Sequence, residues 1–244
     1  MTRQTFWLVT AALLTIGFLA AGNVLQGRLL ATRPQPEVSV SEALISRGSD
    51  EIVLDIRYPA VSGLHDAALE QALNESIRAQ VDAAADAAEA EAAALWQEAE
   101  TEGFAPWIYV FHTDYEAYCT RGILSLRVTT ALDNGGVGFP HTVYYNIDIA
   151  RSRRLCLNDL FTSGEYRQAL SAYIRHQISG NPRFFANEFT GITGRTAFFV
   201  RDGRLYIAFA KYEIASGMTG EPVFAIPPRL LHGQLKLQYA GLFQ

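Results

Sequence analysis

Few residues of this chain have types and spacings that could do chemistry. The five histidines, His65, His112, His141, His176 and His232, are far apart. None forms the H-x3-H or H-E-x-x-H spacing that puts two imidazoles on one helix face toward a metal. A cluster of His112, Asp114 and His141, assembled by folding, competes with a plainer reading as polar residues at strand edges. No G-x-S-x-G or S-x-x-K spacing marks an activated serine. Ser163, Ser179 and Ser216 each precede glycine, which is turn chemistry. Carboxylate pairs acting on a glycan need a separation of ~5 Å in the retaining geometry. Asp114 with Glu116 and Asp148 with Asp159 are the pairs to consider, against structural roles for all four. Gly135-Gly136-Val137-Gly138 lies between strand-like stretches and reads as a hairpin loop rather than a phosphate cradle. No catalytic residue, metal or cofactor is assigned, and the reading leans away from an enzyme.

The best candidate for a functional surface is the segment from Tyr212 to Glu221. Glu213 places a charge at the end of an apolar strand, and a loop with Gly217 and Gly220 follows. Such loops often carry binding. Tyr212 and Met218 supply an adaptable apolar surface beside Glu213, so these three are the candidate ligand-binding residues. The competing reading is that Glu213 salt-bridges Arg195 or Arg204 and only pins the loop. Cys119 and Cys156 both fall in strand-like stretches. An even cysteine count outside the cytoplasm permits one disulfide between them, with two buried free thiols as the alternative.

The elements that must position these residues begin after an apolar start. Phe6 to Leu25 carries no charge and is long enough to span a bilayer as a helix. It reads either as a transmembrane anchor over 6–26 behind a short cytoplasmic start, 1–5, or as a signal peptide with a small-residue cut after Ala20-Ala21-Gly22. Both place the rest outside the cytoplasm. Residues 27–45 read as a linker containing Arg33-Pro34-Gln35-Pro36. Alternation from Ile52 to Tyr58 predicts a strand ending at Pro59. Asp66 caps a long Ala-rich helix to about Glu100, with Leu69, Leu73, Ile77 and Val81 on one face laid across a sheet. Strands are expected over 107–111, 123–132 and 143–149, with a turn at Asp133-Asn134-Gly135-Gly136. Thr162 and Glu165 form a T-x-x-E capping box for a shorter helix striped by Tyr166, Leu170, Ile174 and Ile178. Asp202-Gly203 predicts a two-residue hairpin turn, and Leu235, Leu237 and Tyr239 a last strand. The fold class is α+β, with antiparallel sheets rather than parallel βαβ units.

Composition allows this. Hydrophobic residues make up 49% and charged residues 18% of the chain, enough for a core and too apolar for global disorder. The net charge of −5, with Lys and Arg scattered, argues against nucleic acid as a partner.

Several segments resemble a known family in order and spacing. Tyr58-Pro59-x-x-x-Gly63, followed by Leu73-Asn74-x-x-Ile77, is similar to the domain that precedes PdaC-type deacetylase modules. Asn146-Ile147-Asp148, Leu157-Asn158-Asp159-Leu160-Phe161, Tyr212-Glu213-Ile214-Ala215, Gly220 and Ile226-Pro227 resemble the RsiV-like domain of lysozyme-sensing anti-sigma factors. The resemblance implies a PdaC-type half over 46–150 and an RsiV-like half over 151–244. It departs from the family where Val137-Gly138-Phe139-Pro140 follows the paired glycines and His141 comes late. It departs again at Met1 to Thr5, too short for the sigma-binding region that precedes the span in such factors. The implied function is a non-enzymatic bacterial envelope protein, anchored in the inner membrane or exported to the periplasm. Its partner would be a lysozyme-like protein, for which negative charge suits a basic ligand, or peptidoglycan. The alternative is a peptidoglycan-acting or deacetylase-assisting module.

Overall fold

The computed structural model describes residues 37–133 and 140–243. The apolar run near the start and the turn expected at 133–136 lie outside these residues, the latter save for Asp133. Among the described residues no helix is long and apolar enough to cross a membrane.

The first half is a six-stranded sheet covered on one face by a long helix. Strands β1 (Ser39–Gly48), β2 (Ile52–Ser62), β3 (Tyr109–Thr120), β4 (Ile123–Asp133), β5 (His141–Asp148) and β6 (Arg153–Arg154) follow one another in space in that order. The helix α1 (Ala67–Glu102) starts where Asp66 accepts the Ala68 and Leu69 amides, satisfying donors that the helix itself leaves free. Leu73, Ile77, Val81, Ala85, Ala88 and Ala92 are its buried face. They pack with Ile52, Leu54, Ile56, Phe111, Leu126 and Val128 from the sheet. The alanines let the helix lie close, as a larger side chain would not.

Three expectations change here. Residues 39–45 are not linker but belong to β1, paired residue by residue with β2 from Ser39↔Ser62 to Gly48↔Val53. Its side chains are mostly exposed, so no buried face writes an alternation into the sequence. β2 also continues through Pro59 to Ser62. The β2–β3 ladder stops at Ile56, so Pro59 sits where β2 has a neighbour on one side only and a missing N–H is tolerated. Finally, β2 and β3 are parallel. The chain crosses the sheet through α1 between them, so one βαβ unit stands inside an otherwise antiparallel sheet.

The second half contains α2 (Tyr166–Ile178) and a three-stranded antiparallel sheet, β7 (Phe198–Arg201), β8 (Arg204–Ala208) and β9 (Val223–Ile226). Tyr166, Leu170, Ile174 and Ile178 are buried in its core beside Phe189, Phe198, Val200 and Leu205. Between β7 and β8, Asp202 and Gly203 both take positive φ (50° and 71°), as the hairpin turn demands. The capping box does not form. The Thr162 N–H and hydroxyl both donate to the Gln234 carbonyl (2.8 and 3.0 Å), and α2 starts only at Tyr166, with Glu165 at its N-cap. The expected last strand is absent too. Leu235 makes a single bridge with Phe161, and Leu237–Tyr239 is a turn of 3-10 helix. Both halves belong to one compact unit, Pro36–Gln244.

Candidate functional site

The Tyr212 loop is built on a fixed base. The Phe185 N–H donates to Ile214 O and the Ser216 N–H to Arg183 O, both at 2.8 Å, strapping residues 214–216 to the segment after α2. Ile214 and Ala215 are buried. Ahead of that base the chain turns tightly, and the Glu213 carboxylate accepts the Ala210 N–H at 2.8 Å while its own N–H donates to Ala210 O. Glu213 therefore pins the loop through the backbone rather than through Arg195 or Arg204. The turn leaves Tyr212 at φ 68°, in the left-handed region a bulky side chain rarely adopts. Its ring lies against Gly217, where an added Cβ would come within 2.4 Å of the ring carbon bearing the hydroxyl. Tyr212 is 54% exposed and Met218, on a 3-10 turn two residues beyond the base, 92% exposed. Of the three predicted ligand residues, two point outward and Glu213 shapes the loop that carries them.

The carboxylate and histidine clusters resolve by register. His112 pairs with Ala131 and His141 with Thr130, adjacent positions of β4. Successive strand residues point to opposite faces, so the two imidazoles lie on opposite sides of the sheet. His141 faces Ala84, Ala88 and Phe111 under α1, whereas His112, Asp114, Glu116, Arg127 and Thr129 line a groove of about 290 Å³ on the other face. Among the described residues no group of three metal-ligating side chains gathers. Glu116 is held by Arg127 and by the Tyr118 hydroxyl. Asp148 and Asp159 are likewise engaged separately: Asp148 accepts from Tyr239 Oη (2.8 Å) and Arg151, Asp159 from Cys156 and Arg153.

Cys119 and Cys156 are both free and exposed, so the expected disulfide is not made. Cys119 pairs with Leu124, Leu124 with Ile147 and Ile147 with Arg154. Three strand spacings of ~4.8 Å separate the Cys119 and Arg154 positions by ~14 Å. Cys156 lies two residues on, and a disulfide needs Cα atoms within ~7 Å. The Cys156 thiol donates instead to Asp159 Oδ2 at 3.0 Å. Burial pushes that thiol up, and the Asp159 carboxylate pushes it further. For Asp159 burial works upward, but hydrogen bonds from the Cys156 N–H and thiol and from Arg153 outweigh it and hold the carboxyl below its ordinary value.

Asn146, from the Asn146-Ile147-Asp148 motif, joins the two halves. Asn146 on β5 accepts from Ser125 Oγ (2.6 Å) and donates to Phe198 O on β7 (2.8 Å), while the Val200 N–H donates to Ser125 Oγ (3.0 Å). Beside this bridge Phe199 stacks between Tyr118, Tyr144 and Tyr206, with Arg127 over Tyr144 and Phe199 and Arg201 over Tyr118 and Tyr206. Hydrogen bonds to Tyr118 and Tyr206 raise the Arg201 guanidinium above its ordinary value. Sequence reading missed this ladder, because its members come from five strands and no local spacing connects them.

Comparison with known proteins follows the same division. Residues 158–228 match the family described as a protein of unknown function, DUF3298, and residues 45–136 the family described as deacetylase PdaC. The anti-sigma-V factor RsiV of Bacillus subtilis (strain 168) is 24% identical over 206 residues, covering 78% of this chain and 68% of RsiV. A solved DUF3298 family member from Bacteroides fragilis NCTC 9343 superposes with a TM-score of 0.64 at 16% identity, over 84% of this chain and 96% of its own. A DUF3298 family protein from Pseudomonas aeruginosa PAO1 gives 0.52 at 15% identity, over 85% and 96%. At those identities the two structures share the fold.

Proposed function

We propose that this chain, RsiV-like with a PdaC-type first half, is a non-enzymatic extracytoplasmic protein of the cell envelope that binds a basic, lysozyme-like protein through the Tyr212–Gly220 loop. The observation that carries the reading is the exposed aromatic held at a positive φ on a pinned loop. Strain of this kind persists only where its surroundings impose it, and it concentrates at ligand-contacting positions. A loop already fixed in shape loses little freedom on binding, so its tyrosine and methionine can act as anchors. The net charge of −5 steers a basic partner and repels an acidic one. Likeness to an anti-sigma factor over most of the chain and to PdaC in the first half supports the extracytoplasmic setting, with a membrane anchor or an export signal at residues 6–26.

The test is calorimetric titration of Pro36–Gln244 with animal lysozyme and with peptidoglycan fragments at low and high salt. Salt-weakened lysozyme binding that Tyr212→Ala reduces supports the proposal. Binding to glycan alone favours the peptidoglycan-acting or deacetylase-assisting module. Binding of neither ligand refutes both.

A further inference from the structure

A second surface, unrelated in sequence to the loop, lies where α1 ends. Gly103 takes φ 77°, and the Gly103 and Phe104 amides donate to Glu100 O and Ala99 O, folding the chain back against the last turns of the helix. The residues that follow should be polar in an unpartnered loop. Instead Phe104, Trp107 and Ile108 are 66%, 72% and 61% exposed. Leu95, Ala99, Phe104, Ala105 and Trp107 line a groove of about 390 Å³ whose remaining walls are Glu98 and Glu102.

The charge around this groove is arranged against the stability of the free protein. The carboxyl end of a helix is its negative pole and favours cations. The last turn of α1 holds no basic residue. Glu98 and Glu102 are four residues apart on one face, where like charges repel. Glu100 is turned aside to accept from Trp96 Nε1 at 3.2 Å. Apolar exposure and helix-end repulsion are both relieved by the same kind of ligand: one with positive charge beside an apolar side chain. A second copy of this chain would set Glu98 and Glu102 against themselves across a two-fold contact. Anionic lipid and nucleic acid would meet the same repulsion.

We propose that the groove at the end of α1 docks a cationic amphipathic protein segment. Its Lys or Arg side chains lie against Glu98 and Glu102 and over the Trp107 face, and an apolar residue enters between Leu95 and Phe104. A guanidinium or ammonium over an indole is the strongest of the cation–aromatic contacts. This goes beyond the binding proposed for the Tyr212 loop and stands or falls separately.

The test uses the full chain and two synthetic amphipathic peptides, one of Lys and Leu and one of Glu and Leu, with calorimetry and tryptophan emission as readouts. The Lys–Leu peptide is expected to bind, to blue-shift the emission and to weaken with salt, while the Glu–Leu peptide does not bind. Phe104→Ser with Trp107→Ser should lower the affinity by about tenfold or more. Glu98→Lys with Glu102→Lys complements the helix end and so cannot impair folding by charge. It should abolish Lys–Leu binding and admit the Glu–Leu peptide. Tyr212→Ala should leave Lys–Leu binding unchanged, whatever it does to lysozyme. Equal binding of both peptides, Lys–Leu binding that survives both double variants, loss of it in Tyr212→Ala, or no binding at all would each overturn the proposal.

Discussion

Asn146→Ala should cost this protein about 3–5 kcal/mol, although Asn146 belongs to neither of the proposed binding surfaces. The side chain is buried, and both of its polar ends are committed: Oδ1 to the Ser125 hydroxyl, Nδ2 to the Phe198 carbonyl. Removing it strands two buried groups, each at about 1–3 kcal/mol, and leaves a small void. Ser125→Ala strands two different ends, the Val200 N–H and Asn146 Oδ1. The double variant strands only the Val200 N–H and the Phe198 carbonyl, half of what the singles strand together. The losses should therefore be strongly sub-additive, by about 2–3 kcal/mol. Urea unfolding followed by far-UV circular dichroism reads this directly. With a slope of ~2–3 kcal/mol per molar, Asn146→Ala moves the midpoint down by ~1–2 M. A single-variant loss under about 1 kcal/mol, or a double equal to the sum of its singles, would refute the bridge as a joint between the two sheets.

Further outcomes follow from local geometry. Tyr212→Gly relieves a positive φ, so it should leave stability level or raise it by up to about 1 kcal/mol while weakening ligand binding. Gly217→Ala, which pushes the Tyr212 ring aside, should weaken binding without a matching fall in melting temperature. Cys156 should alkylate more slowly than a free cysteine near pH ~8.5, and Asp159→Asn should speed it, as timed by iodoacetamide labelling and mass spectrometry. Because the Asp159 carboxyl is held below its ordinary value in the folded state, its stabilisation is complete above about pH 4. It fades as pH falls through the lowered value, a loss that Asp159→Asn should remove from the acid limb of an unfolding-versus-pH series. Gly63→Ala should cost about 2 kcal/mol or more by thermal melting. Gly63 sits at φ 85°, and the new methyl would come within 2.6 Å of the Glu37 carbonyl.

What could be read from the sequence was what neighbours along the chain decide. The α1 stripe, its Asp66 cap, the α2 stripe and the Asp202-Gly203 turn all depend on residues within a few positions of one another. What could not be read depends on partners far away. Thr162 carries a capping signal, yet its hydroxyl finds a carbonyl 72 positions downstream. The direction of β3 depends on which side of β2 it joins after α1. His112 and His141 are parted by strand register, and Cys119 is kept from Cys156 by the number of strands between them. Trp107 and Ile108 continue an alternation that looks like strand, but β3 begins at Tyr109 and leaves both in solvent. In the candidate loop, Tyr212 and Met218 were legible as loop residues. The positive φ that makes Tyr212 informative was not, since it comes from a turn that Glu213 closes on Ala210, ahead of a base tied down by Arg183 and Phe185.

Asp148 bears on how the protein is made. It is buried at the end of β5, and the Tyr239 hydroxyl that engages it arrives 91 residues later. A chain that emerges amino end first, from a ribosome or across a membrane, forms its six strands while this carboxylate still lacks that donor. Until then Asp148 has the Arg151 N–H and guanidinium, three residues on, but not the hydroxyl, and a buried carboxylate short of one hydrogen bond weakens the sheet that holds it. The Arg121 guanidinium, which reaches the Gly241 carbonyl, waits as long. The PdaC-type and DUF3298 segments are separate as sequence families, yet in this chain the first sheet completes its hydrogen bonds only when the stretch around Tyr239 packs against it.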